Sequence, residues 1–160
     1  MDEGKYGLRN EWDLWFHSIN DNSWTKNSYK KIYTIKSLMD YQYISETFHQ
    51  EHYQNGMFFL MKKNIFPNWE DPLNRDGGCL SFKVPSNNIL NEWNSLFLNC
   101  IIESIFESDE VNGVSISPKK EFNIIKLWIK NDEFNHKDKF KNISEFLNLD
   151  NLLYKKHDIY

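Results

Sequence analysis

The stretch IIKLWIK, residues 124–130, presents two chemically different faces. Ile125, Leu127 and Ile129 share one parity, while Lys126, Trp128 and Lys130 share the other. Side chains alternate across a strand, so this pattern predicts a β-strand with one face covered and one open. A tryptophan between two lysines makes a poor core but a plausible wall for an anionic, aromatic ligand. Trp128 packed under a loop, with the lysines extending to water, fits the same spacing equally well.

Working outward, GVSISP (113–118) is the preceding strand across a KKE turn. Near the start, LRNEWDLWFHS alternates Leu8, Trp12, Leu14 and Phe16 against Arg9, Glu11, Asp13 and Trp15, again a strand. NDNSW (20–24) is a polar loop, and SYKKIYTI a further strand. Helices are predicted over Ser37–Phe48, over 87–106 with Ser86 or Asn87 as its cap, and over 137–149. In the last, Phe140, Ile143, Phe146 and Leu147 form the apolar stripe. GMFFLMKKNI and GGCLSFKVP read as two strands of a hairpin with an unusually large tip. The expected class is α+β: a curved antiparallel sheet with helices on one face.

At 160 residues the chain is read as one domain, 1–160, with residues 1–7 a flexible lead-in. A net charge of −4 argues against holding nucleic acid mainly through its phosphates. Cys79 and Cys100 lack metal-ligand spacing and are read as reduced thiols. No apolar leader or spanning segment is seen, so a cytoplasmic protein is expected. His49 and His52 lack a nearby third ligand and are read as solvated. Neither a metal nor a cofactor is called for.

The tip itself, FPNWEDPLNRDGG (66–78), places Trp69 and Glu70 between Pro67 and Pro72. The prolines enforce a loop, and Gly77–Gly78 are expected to supply positive φ for the turn back into the sheet. Such a tryptophan commonly plugs its own hairpin. Its carboxylate neighbour shifts that balance only partway toward recognition of a flat cationic ring with N–H donors, which would gain cation–π energy and edge hydrogen bonds. Asp71 is expected to brace the loop.

Taken in order, LRNEWDLWF, Ser23–Trp24, FPNWED with NRDGG, the EW and ESIF of the long helix, NGVSIS and KLW resemble the eukaryotic translation initiation factor 4E family. These proteins bind the 7-methylguanosine cap of messenger RNA and are not enzymes. The resemblance covers about Leu8 to Trp128, and the YKKHD ending matches more loosely. It implies a cupped antiparallel sheet with three helices on its convex side and the ligand on the concave side. Trp24 and Trp69 match the two tryptophans that stack the cap base. Glu70 matches the carboxylate on the base edge, and Trp128 the ring against the methyl group. For the phosphates, Lys119 stands at a usual arginine position with Lys120 beside it. Ile124 fills a usual lysine position, and Lys126 is inferred to substitute, with Arg75 and Lys130 as lesser candidates.

Several residues depart from the family pattern. Cys79 replaces a basic residue and Leu80 a tryptophan. Met39 replaces the tryptophan that docks the helical motif of the 4G scaffold, and Gly7 replaces a proline beside it. A partner groove is expected from Leu8, Ile35, Met39 and Leu98. Capped mRNA is the expected partner of a monomer, with a 4G-like scaffold on the convex face. The other reading is an interaction protein of the same fold that represses or redirects translation by sequestering partners. A divergent, virus-encoded member would fit either.

Overall fold

The computed structural model describes residues 6–133 and 136–157. The flexible lead-in expected for residues 1–7 falls largely outside them. The alternating segments become seven antiparallel strands: β1 (Gly7–Ser18), β2 (Lys30–Ser37), β3 (Gly56–Lys62), β4 (Gly78–Pro85), β5 (Val111–Pro118), β6 (Phe122–Ile129) and β7 (Leu152–Lys156). They form one curved sheet in the order β2-β1-β3-β5-β6-β4-β7. Three helices, α1 (Leu38–Thr47), α2 (Gln50–Gln54) and α3 (Ile89–Ile101), complete the α+β fold, with a single further turn, α4 (His136–Lys139).

Parity sorts the side chains as the sequence predicts. Trp12 and Leu14 of β1, Leu60 of β3, Leu80, Phe82 and Val84 of β4, and Ile125, Leu127 and Ile129 of β6 are buried on one face. There they meet Trp93, Leu96, Phe97, Cys100 and Ile101 of α3. Burying each such side chain contributes about 1.5–3 kcal/mol. A smaller cluster, Phe59, Met61, Ile65, Cys79 and Trp128, lies on the opposite parity. Leu80 is simply a core residue.

Four local expectations differ. β3 and β4 are not a hairpin, because β5 and β6 lie between them. Three strand steps separate them by about 14 Å, so residues 63–77 must cross the end of the inner strands. Gly77 and Gly78 do not supply positive φ; none of the described glycines has it. They are small because backbone passes close by: a Cβ on Gly77 would stand 1.8 Å from the Ile129 carbonyl oxygen, and one on Gly78 2.5 Å from that of Lys155. The helix over 137–149 is reduced to α4. Ser144 Oγ accepts from Leu147 N–H, Asn142 Oδ1 from Leu149 N–H, and Asn148 Oδ1 from Asn151 N–H. Such side-chain bonds compete with the helical ladder. Phe140 and Leu147 are nevertheless buried in the core. Finally, α3 is led in by a 3-10 turn, Ser86–Asn88, with no side-chain cap.

α1 is capped as its sequence suggests. Ser37 Oγ accepts from Asp40 N–H, and the Asp40 carboxylate accepts from Ser37 N–H at 3.2 Å. That reciprocal box stabilises the helix start by about 1 kcal/mol. Only Ile44 of this helix is fully buried, while Leu38 and Met39 are exposed. His49 and His52 are exposed and serve as a cap, His49 N–H donating to His52 Nδ1 at 2.9 Å. No helix among the described residues is long and apolar enough to cross a membrane.

Candidate functional site

The crossing loop 63–77 is held by its own polar side chains. Asp71 Oδ2 accepts from Phe66 N–H at 3.0 Å and Oδ1 from Leu73 N–H at 2.9 Å. Asn74, wholly buried, donates to the Phe66 and Asn68 carbonyls. Asn112 at the start of β5 donates to the Leu73 carbonyl at 2.7 Å and to Asn74 Oδ1 at 3.0 Å. Asp71 therefore braces the loop, and Asn112 ties it to the sheet.

Fixed in this way, Trp69 is half-buried and lines a cavity of about 320 Å³. Trp128, Cys79, Ser81, Lys126, Lys155, Lys156 and His157 complete its wall. Trp128 is buried, and its indole N–H donates to Ser115 Oγ at 3.0 Å. One edge of that ring approaches Phe59, with centroids 6.4 Å apart. It thus both packs in the smaller cluster and faces the cavity, so the two readings of its strand are compatible. A second depression of about 200 Å³ lies on the other side of Lys126 and Trp128. It is bordered by Met57, Phe59, Ser115, Ser117, Ile124 and Lys119.

Trp24 stands apart from that cavity. It is 55% exposed and stacked on His17, centroids 3.8 Å apart and planes within 5°. His17 is buried; its Nδ1 meets the Ser18 carbonyl and its Nε2 the Ser23 carbonyl and Ser28 Oγ. The imidazole therefore fixes one indole face and ties down both sides of the Trp24 loop. Tyr29 bridges toward the crossing loop, lying 5.9 Å from Trp24 and 4.9 Å from Phe66. Burial, and then the Glu70 charge, push the Tyr29 hydroxyl up to about 12. The Glu70 carboxylate itself is exposed.

Of the expected phosphate ligands, Lys126 borders both depressions and Lys119 the smaller one. Lys120 is exposed in the β5–β6 turn and borders neither of the two. Arg75 and Lys130 lie together elsewhere, beside Asp76, Asp132 and Glu133, and Lys130 pairs with Asp109 at 3.7 Å. Burial pushes the Cys79 thiol up to about 12, which keeps it neutral and unreactive. On the helix side, Leu8 and Leu98 are partly buried and Met39 is 64% exposed. Ile35 is wholly buried, so it supports that face from beneath and offers no surface to a partner.

The family profile described as Eukaryotic initiation factor 4E matches residues 7–159. The chain belongs to the eukaryotic initiation factor 4E family. Eukaryotic translation initiation factor 4E of Dictyostelium discoideum is 27% identical over 164 positions, covering 96% of this chain and 65% of that one. Eukaryotic translation initiation factor isoform 4E of Arabidopsis thaliana is 29% identical over 132 positions, covering 77% and 66%. The chain spans between about half and two thirds of the length of the curated relatives it matches. Among solved structures, C. elegans eIF4E-3 in complex with the 4E-binding protein Mextli gives a TM-score of 0.78 at 19% identity, covering 95% and 93%. Ascaris suum eIF4E-3 with m7G cap gives 0.72 at 18%, covering 80% and 75%. At those identities the structural likeness establishes the fold.

Sequence reasoning missed three groups in this 4E-family chain: His17, the β7 pair Lys155–Lys156, and His157. The parity of β1 puts His17 on the same face as Asp13 and Trp15, a usable signal. The other two follow from β7, a strand that was not foreseen after the loop-rich segment 140–151. Its pairing with β4 sets Lys155 opposite Cys79.

Proposed function

We propose that the chain binds the 7-methylguanosine cap of messenger RNA as a non-enzymatic module of translation initiation. The methylated base stacks between Trp24 and Trp69, and its edge hydrogen-bonds the Glu70 carboxylate. Its methyl group lies toward Trp128, and its phosphates meet Lys119, Lys120 and Lys126. The observation that carries this reading is the shared cavity of Trp69, Trp128 and Lys126, two indoles and a cation on the open sheet face. Trp24 already has one face on His17 and offers the other to the base.

Methylation makes the guanine ring cationic, which strengthens its attraction to indole faces and to Glu70. Each base–aromatic stack is worth about 1–3 kcal/mol, and a hydrogen bond to a charged group about 1.5–3 kcal/mol. Unmethylated guanine keeps the shape and loses the charge. Tryptophan quenching should therefore show tighter binding of a methylated cap analogue than of guanosine triphosphate. Trp69→Ala or Glu70→Ala should lose most of that binding with unchanged circular dichroism. Equal affinity for the two nucleotides would overturn the reading.

A second reading has one observation in its favour. Leu38, Met39 and Tyr43 are all exposed on or at the start of α1, at 37%, 64% and 54%. An apolar surface of that kind suits a protein partner, and in this reading the same fold sequesters one, with cap binding secondary.

A further inference from the structure

The ring beneath Trp24 is wholly buried and yet polar. His17 lies in β1 opposite Met57 of β3, with the Trp24 indole stacked on it and the Tyr29 ring edge-on at 5.1 Å. Its Nδ1 is 2.9 Å from the Ser18 carbonyl, and its Nε2 is 2.8 Å from the Ser23 carbonyl and 3.1 Å from Ser28 Oγ. A carbonyl oxygen can only accept. The Ser28 hydroxyl has one proton and donates it to the Thr25 carbonyl at 2.7 Å, so toward His17 it too only accepts.

Acceptors at both nitrogens require an N–H on each, and an imidazole with two N–H groups is a cation. Neither neutral form fits the same place. With the proton on Nε2, the Nδ1 lone pair faces the Ser18 carbonyl; with it on Nδ1, the Nε2 lone pair faces the oxygens of Ser23 and Ser28.

A buried charge is costly unless it is paired and hydrogen-bonded. Here three oxygens accept from the ring, and the indole face adds cation–π attraction. Asp21 of the same loop supplies a carboxylate. Its bonds from Ser23 Oγ and N–H first, and then the charges of His17 and Lys30, hold it below the usual carboxylate range. Lys30 Nζ itself donates to the Asn27 carbonyl at 3.0 Å. Tyr29, its hydroxyl pushed up to about 12, and Met57 add no charge.

We propose, resting on the cap-binding reading of Trp24, that His17 is a positioning residue: its doubly protonated ring holds the indole ready for the base, and binding is coupled to that proton. Losing either proton turns a lone pair on an oxygen. The ring then swings out of its bonds and Trp24 loses its backing. A loop that is competent only part of the time binds with an affinity reduced by that fraction.

The test follows nucleotide affinity from about pH 5 to 8, the range in which a histidine ordinarily changes charge. It compares the unmodified chain with His17→Phe, which keeps a flat ring and has no proton to lose. At each pH the ratio of the two affinities cancels the titration of the nucleotide and of His157 in the cavity wall. That ratio should fall about tenfold from the acid to the alkaline end, the value of one charged hydrogen bond. It should do so for a methylated cap analogue and for guanosine triphosphate alike. A flat ratio overturns the proposal, and so does one that moves for the methylated nucleotide alone, which is a direct effect of charge on the base. Should His17→Phe fail to fold, nitrogen NMR of the unmodified chain without nucleotide decides the point. The Trp24 indole N–H signal should shift as the His17 ring loses an N–H, and a Trp24 signal indifferent to that loss overturns the proposal. Equal affinity for the two nucleotides would instead overturn the cap reading and leave the NMR result standing.

Discussion

His157 shows how one residue's surroundings set its chemistry. Burial first, and then the Lys126 charge, push its pKa down to about 4. The ordinary value is about 6.5, so between those two values the unfolded chain binds a proton that the fold refuses. The stability this residue contributes is present above about pH 6.5, declines as the pH falls, and is gone below about 4. Urea midpoints at pH 7 and pH 4.5 should therefore fall less for His157→Gln than for the unmodified chain. Equal losses would show that His157 is not the titrating group. Strand parity made Trp128 and Lys126 legible in the sequence, because alternation is a property of the strand alone. The state of His157 was not legible, since it depends on a ring and a charge from another strand.

Among the elements, the crossing loop 63–77 positions Trp69, and Asp71 is its central acceptor. Asp71→Ala strips the Phe66 and Leu73 N–H groups of their partner. Leaving such donors unmet costs about 1–3 kcal/mol. The expected result is a lower unfolding midpoint together with weaker quenching by a cap analogue, although Asp71 touches no ligand in the proposed complex. Full binding with reduced stability would separate the loop from the site. Two prolines and the double glycine were enough to mark this segment as a loop, with Asp71 expected to brace it. They did not reveal its span, because β3 and β4 look like hairpin neighbours until β5 and β6 are seen to pair between them. The failed helix over 137–149 has a similar cause: the apolar spacing was right, but local side-chain bonds and the packing of Phe140 and Leu147 won over the helical ladder.

For the whole molecule, the sheet separates two surfaces: an open side carrying Trp69, Trp128 and Lys126, and a helix-covered side ending at α1. On that second side the buried Ile35 gives no contact, and the exposed Met39 lacks the breadth of a tryptophan. A 4G-type helical peptide is therefore expected to bind weakly in calorimetry. Met39→Trp should tighten it about tenfold or more, since a buried aromatic anchor dominates such interfaces. Tight binding by the unmodified chain, with no gain in the variant, would contradict this.

By itself the sequence determined the α+β class, most strand and helix positions, and the face on which each apolar residue lies. Those depend on periodicity and local chemistry, which neighbours in the chain supply. It also carried the ordered tryptophan motifs that mark the family. Tertiary structure alone decided the strand order, the span of the Trp69 loop, the close backbone passage at Gly77 and Gly78, and the stack of Trp24 on His17. It alone brought Lys155, Lys156 and His157 beside Trp128. Each of these is a meeting of distant segments, fixed by which strands pair and by what little space is left between them.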